Sequence, residues 1–286
     1  MKDQIYDPMP REEYDRIERT NFSTLKHIDR SPAHYEHVLV TPDEDTDAKK
    51  VGRVVHVAAF EPERFRGAIA VWEEGPRRGK AWEDFQRRNA GRELLTQNEY
   101  DRVAAMQKAV RANSLAQQYV AGGRGEVTML WTYEAPGIGG LGGFSIPCKG
   151  RIDFDGERAL ADLKTTRSAK PEEFERQAWS MKYHVQAAWY SDAYEQLTGV
   201  RKPYVIVAVE SEPPHIVQVY RVSEYLLKLG REDCLTWLAR LNTCRREARW
   251  PAYADGELEL VPPPWAVEGD DEDATGLGLV STSRGG

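Results

Sequence analysis

The 286-residue sequence predicts a mixed α/β fold, a central mixed β-sheet flanked by helices. Three observations predict it. Apolar residues recur at helical spacing through most of 21–119. The pattern then switches to strands over 126–165. A long helix, two apolar strands and a last helix follow, an order unlike that of a doubly wound nucleotide binder. Hydrophobic residues make up 41% and charged residues 30% of the chain, the balance of a globular domain large enough to bury a core. No apolar run approaches the ~18 residues of a membrane span.

Asn21-Phe22-Ser23 opens the first helix, with Asn21 or Ser23 as cap, and Ser31-Pro32 closes it after Asp29. A short helix covers 32–39. Residues 48–60 suit strand or helix by propensity, but Val51, Val54, Val55, Ala58 and Ala59 form a helical stripe, so a helix is expected. A long helix is expected over 93–119, with Leu94, Val103, Met106, Val110 and Leu115 on one face. Residues 126–134 read as a strand, 136–147 as a glycine-rich turn or hairpin end, and 148–154 and 159–165 as strands. Asp155-Gly156-Glu157-Arg158 is a hairpin signal between the last two. Residues 171–198 read as one helix, with Pro171 in its first turn and Gly199 just past its end. Strands at 203–210 and 215–222, separated by Pro213-Pro214, and a helix over 223–247 complete the domain.

Residues 262–264 are prolines and Trp265 is expected to anchor this extended segment. Residues 266–286 are acidic, then rich in glycine and serine, so a disordered tail is expected to follow a folded domain at 1–265. The charged N-terminus lacks a signal peptide's apolar stretch, which points to a cytoplasm. Cys148, Cys234 and Cys244 suit that reducing setting, match no zinc or haem spacing, and are expected to be buried thiols. The net charge of −7 does not advertise a nucleic-acid partner, yet it leaves room for a local basic groove. Arg77, Arg78, Lys80, Arg87 and Arg88, then Arg245, Arg246 and Arg249, are candidates for one, or else solvated helix faces.

The chemistry-bearing stretch runs from Lys149-Gly150-Arg151-Ile152-Asp153 to Asp162-Leu163-Lys164-Thr165-Thr166. Asp162 and Lys164 are two apart on a strand and share a face. The hairpin keeps Asp153 on that face, with the Leu163 carbonyl between the carboxylates. Hard oxygens beside an amine suit magnesium and phosphodiester hydrolysis. Asp162 and Lys164 alone would also read as a surface ion pair on an edge strand. The apolar flanks Ala159-Leu160-Ala161 and Leu163 weigh against that, because a charged face on a strand built for burial needs a partner. Tyr183, Gln186 and Tyr190 share one helix face, which fits a core stripe with one polar member as well as a site. His56 in its apolar stripe is ordinarily a satisfied core residue, and Glu126 opens a strand where it would be exposed.

As an ordered set these pieces resemble the RecE-type phage exonucleases, of the wider PD-(D/E)XK (RecB-like) nuclease superfamily. The set comprises Asn21–Lys26 leading to Ser31-Pro32, Gly52–His56 followed by Glu61-Pro62, then Glu126, and Gly150–Asp153 with Asp162–Thr166. Tyr183–Tyr190 and a closing segment, Leu260–Trp265, complete it. The resemblance covers about residues 20–265 and makes 1–265 a nuclease domain. It implies that His56, Asp153, Asp162 and the Leu163 carbonyl hold Mg2+, with Mn2+ as substitute, and that Glu126 binds or orients a second ion or the attacking water. Lys164 would be the catalytic lysine, and Gln186 would steady it or contact phosphate. Tyr183 and Tyr190 match motif positions whose roles are not separable from packing. Asp162 stands where many relatives carry Glu.

The function so implied is 5′-to-3′ digestion of linear double-stranded DNA in recombination. The partners would be a DNA end and a single-strand annealing protein, the assembly a homo-oligomeric ring, and the setting a host cytoplasm if phage-encoded. Alternatives are an endonuclease or single-strand nuclease of the same superfamily, or a catalytically inactive DNA-binding module. The last fits poorly, because every expected site position is filled.

Overall fold

A computed structural model describes residues 1–41, 46–136 and 142–262 of the chain. Strand β1 (Gln4–Tyr6) and helix α1 (Arg11–Arg16) precede the first predicted helix. That helix is α2 (Phe22–Leu25) followed by a 3-10 turn over Lys26–Asp29. Of the two candidate caps it is Asn21 that accepts the Thr24 N–H, at 2.9 Å. Ser31 caps α3 (Pro32–Val40). Helix α4 (Asp47–Phe60) buries Val51, Val54, Val55 and Ala58, the stripe that predicted it. Helix α5 (Pro62–Ala68), strand β2 (Ile69–Trp72) and helix α6 (Gly79–Arg88) come next.

The long helix expected over 93–119 is instead β3 (Glu93–Thr96), α7 (Gln97–Ala112) and α8 (Ser114–Val120). Thr96 and Glu99 form a reciprocal capping box that starts the helix at Gln97. Ahead of it, buried Leu95 pairs with Val71 of β2 in a two-stranded parallel sheet. Asn113 ends α7 and caps α8 by accepting the Ala116 N–H at 2.9 Å.

Strands β4 (Gly123–Ala135), β5 (Phe144–Gly156) and β6 (Leu160–Thr166) form an antiparallel meander. Helices α9 (Pro171–Ser180) and α10 (Tyr183–Thr198) carry the chain over to β7 (Tyr204–Glu210), parallel to β6. Strand β8 (Val217–Arg221) and helix α11 (Glu224–Glu247) follow. The six-stranded order is β1-β4-β5-β6-β7-β8, the central mixed sheet expected. Side chains alternate between two cores, as the two-residue period of a strand requires. Leu160, Tyr204, Ile206 and Ala208 pack with α9, α10 and α11, and Ala161, Leu163, Val205 and Val207 pack with α4, α7 and α8.

Three local expectations are corrected. Residues 144–147 belong to β5, where Pro147 faces Thr132; 137–141, the rest of the predicted glycine-rich turn, lie outside the described residues. Asp155 is no turn residue but a buried hub that accepts from Arg124 and Lys202, each at 2.6 Å, so the turn shifts to 157–159. The single helix at 171–198 is two, because Lys182 is left-handed (φ 61°) and caps the second.

Cys148, Cys234 and Cys244 are buried free thiols, and burial pushes Cys148 up to about 12. Met1–Trp250 form one compact unit; a second begins at Pro251, and its described residues, 251–262, carry no helix or strand. Trp265 and the predicted tail at 266–286 lie outside the described residues. Among the described residues no helix is long and apolar enough to cross a membrane.

Candidate active site

Two ladders break at the same residue. Strands β5 and β6 pair only at Phe154↔Ala161 and Asp155↔Leu160. The next rung would join Asp153 to Asp162, and there the strands have parted. On the other side β4 and β5 pair at Gly125↔Phe154 and Val127↔Ile152, omitting the rung between Glu126 and Asp153. Glu126 is left-handed there (φ 55°), a conformation few non-glycine residues adopt. Such a residue costs of order 1–3 kcal/mol and persists where its surroundings over-determine it. The strain turns Glu126 out of the regular ladder beside Asp153.

His56 of α4 completes the group. One ligand atom each from His56, Glu126 and Asp153 lies within 4.8 Å of the others. His56 Nδ1 is 3.2 Å from Asp153 Oδ2, and the Leu163 N–H donates to the same oxygen at 3.0 Å. Burial would lower the His56 pKa, but the Asp153 charge outweighs it and lifts the imidazole to about 9. Asp153 is held down in return by His56 and Lys164, against its own burial. Burial, then the Asp153 charge, raises Glu126 to about 7. Two carboxylates that repel each other, with an imidazole beside them, are a donor set for a divalent cation. Carboxylates suit magnesium or manganese, and the imidazole favours a transition ion.

Asp162, expected to share a face with Asp153, instead faces the opposite core, towards α10, because the ladder between their strands has parted. It is 2% exposed, and burial raises its pKa to about 6 despite the ammonium of Lys164, 2.7 Å from Oδ2. Beyond that ammonium, Oδ2 has no other polar partner among the described residues. Its Oδ1 accepts from Gln186 Nε2 at 3.2 Å and from the Tyr204 hydroxyl at 3.3 Å. Burial works against the charged form of Lys164, yet Asp162 and Asp153 raise its pKa, so it is an ammonium. The Tyr183 ring lies 4.9 Å from its Nζ.

The structure thus draws His56, Glu126 and Asp153 into one cluster, and joins Asp162, Lys164, Gln186 and Tyr183 in another across the parted rung. Gln186 touches Asp162, and Leu163 engages Asp153 through its amide. Tyr190 packs on Gly150, where an added Cβ would come 2.6 Å from the ring. Two neighbours were not singled out in the sequence. Tyr204 opens an apolar run, where its hydroxyl was the only signal. Arg151 sits in the same motif as Asp153, its guanidinium 3.8 Å from Glu126 Oε2 and donating to Thr128 Oγ1 at 3.1 Å. Of the candidate basic groove, Arg77 pairs with Glu99, Arg87 with Asp84 and Arg246 with Glu247, at sites on α6 and its approach and at the end of α11.

A family model described as a PDDEXK-like domain of unknown function (DUF3799) matches residues 21–261. Among solved structures, a candidate exonuclease from Eubacterium rectale is 15% identical, with a TM-score of 0.58 over 92% of this chain and 98% of its own. At that identity the likeness shows the fold. Another, SSO0001, is 17% identical over 75% of this chain and 84% of its own, and its TM-score of 0.26 carries no argument. No curated protein matches the chain.

Proposed function

The chain belongs to the PDDEXK-like family DUF3799, and from that premise we propose that it is a magnesium-dependent DNA exonuclease of the RecE type, with manganese able to substitute. Family and fold support a nuclease. The observation that carries the finer reading is the convergence of His56, Glu126 and Asp153 beside an Asp162–Lys164 pair. The fold neighbour from Eubacterium rectale, itself a candidate exonuclease, points the same way. The ordered motifs support 5′-to-3′ digestion of linear double-stranded DNA in recombination, alongside a single-strand annealing protein, with the chain in a homo-oligomeric ring in a cytoplasm.

His56, Glu126 and Asp153 would hold the ion, with Asp162 and the Leu163 carbonyl as the further ligands the resemblance implies. A divalent cation there supplies charge neutralisation for the phosphodiester and eases ionisation of water. The chain's own side chains do the rest. Lys164, kept as an ammonium by Asp162, stabilises charge developing on the phosphate rather than accepting a proton. Gln186 and Tyr204 hold Asp162 in the orientation that keeps Lys164 there. Glu126 orients the attacking water.

The test is nucleotide release from linear and covalently closed circular duplex DNA, with magnesium and with chelator. Magnesium-dependent digestion of the linear form alone is expected. Cutting of the circle would assign an endonuclease instead, and binding without cleavage of either form an inactive module.

A further inference from the structure

A cavity of about 370 Å3 opens on the α9/α10 face of the sheet, the face towards which the Asp162–Lys164 pair also points. Two of its lining residues tie it to that pair. Ile206 of β7 is the register partner of Asp162. Tyr183 forms part of the wall, and its ring is the one 4.9 Å from Lys164 Nζ. Beside the aliphatic Ala178, Val222 and Leu226, the wall carries aromatic rings held in pairs. Phe174 and Tyr220 stack at 4.7 Å with planes 17° apart. Trp179 lies flat on His184, at 4.5 Å and 6°, while His184 is fixed from behind by Asp233 at 3.3 Å.

Trp179 is 53% exposed. An indole that keeps over half its surface in water, yet has its plane fixed by a buried ring, is a preorganised stacking platform. The rim carries one charge of each sign, Glu175 and Arg221, so nothing there selects a phosphate. The interior is largely apolar, two stacked ring pairs give it flat surfaces, and its volume lies in the range of small-molecule sites. A planar heterocycle fits those walls better than a branched aliphatic side chain does.

We propose that this cavity receives one unpaired nucleobase of the DNA strand being cut, stacked on Trp179, the base belonging to a nucleotide next to the scissile phosphate. The proposal rests on the nuclease reading, because the shared Tyr183 and the Asp162–Ile206 rung put the cavity within a nucleotide's reach of Lys164. Holding one base out of the stack would fix the register of the backbone over the parted rung. Base–aromatic stacking tolerates any sequence, as a general nuclease requires.

The test compares binding of a labelled oligothymidylate with that of an abasic oligomer of the same length, by anisotropy, with calcium in place of magnesium. The full chain is used unaltered, as Trp179→Ala and as Trp179→Phe. Trp179→Ala is expected to weaken oligothymidylate binding roughly 5- to 150-fold, the range for losing one base stack. It should leave the abasic oligomer unaffected, and Trp179→Phe should restore most of the loss. Equal weakening on both oligomers, no weakening on either, or no binding of oligothymidylate by the unaltered chain would overturn the proposal. Cleavage of linear duplex, run in parallel with magnesium, separates the two readings. Cleavage with a base-blind Trp179→Ala removes the pocket and keeps the nuclease; base-dependent binding without cleavage does the reverse.

Discussion

Replacing Gly150 by alanine drives a methyl group into the ring of Tyr190. The added Cβ would stand 2.6 Å from Cε1 and 3.0 Å from Cδ1 of that ring, and 3.4 Å from Trp131 Cη2. Carbon atoms pack at about 3.5–4.0 Å, so the ring must retreat by roughly 1 Å. It has little room to do so. Tyr190 is on α10, and α10 is itself pressed against Gly230 of α11, where an added Cβ would come 2.3 Å from the His184 carbonyl oxygen. Overpacking of this kind costs about 1–3 kcal/mol, offset by about 0.4–1 kcal/mol from the stiffer unfolded chain. The net expectation is a loss of about 1–2 kcal/mol, or a Tm lower by roughly 2–8 °C for a unit of this size. Activity should fall as well, because Gln186, one turn away on α10, loses its 3.2 Å contact with Asp162. Thermal unfolding of Gly150→Ala, with Tyr190→Leu added to relieve the clash, measures this. An unchanged Tm for the single variant would refute the packing reasoning, and a double variant no more stable than the single would show that Tyr190 is not what the methyl meets.

Lys164→Ala is expected to remove detectable cleavage while DNA affinity stays within a few-fold; unchanged activity would refute the role given to the ammonium. Burial and the Asp153 charge raise Glu126 to about 7, and Asp153 raises His56 to about 9, so both hold protons at the acid end that a cation must displace. Binding of Mg2+ or Mn2+ should therefore tighten as pH rises through that window and release protons, with Mn2+ the tighter ion. Calorimetry in buffers of different ionisation heat reads both quantities, and a pH-independent affinity would count against these ligands. Lys202 and Arg124 hold Asp155 below its ordinary 3.8, against the opposing effect of burial. A depressed carboxylate stabilises the fold above 3.8, and that stability is lost as pH falls through the folded value. Asp155→Asn should thus cost about 1–3 kcal/mol near neutral pH, and the difference should narrow at an acid pH below 3.8. Urea midpoints at the two pH values report it, and an equal gap at both would contradict the assignment.

What the sequence determined by itself was local. The stripe from Val51 to Ala58 makes α4 amphipathic wherever it packs. Asn21 and Ser31 cap their helices with side chains that reach three residues on. Asp162 and Lys164 share a face because a strand has a period of two. Where a local signal was overlooked, the miss was local too: the Thr96–Glu99 capping box was legible, and it ends the supposed helix at β3. The candidate residues were named by ordered motifs in the sequence, but how they meet depends on the tertiary structure. Nothing near Asp153 in the chain announces that both its ladders end there, because a rung exists only between strands that pairing has already brought together. Glu126, already a candidate from its motif, is brought beside Asp153 with a left-handed φ, and His56 by the packing of α4. The contacts of Arg151 and Tyr204, and the cavity lined by Tyr183, were invisible for the same reason. Periodicity fixes which face a side chain takes, whereas the partner it meets depends on contacts between residues tens to more than a hundred positions apart.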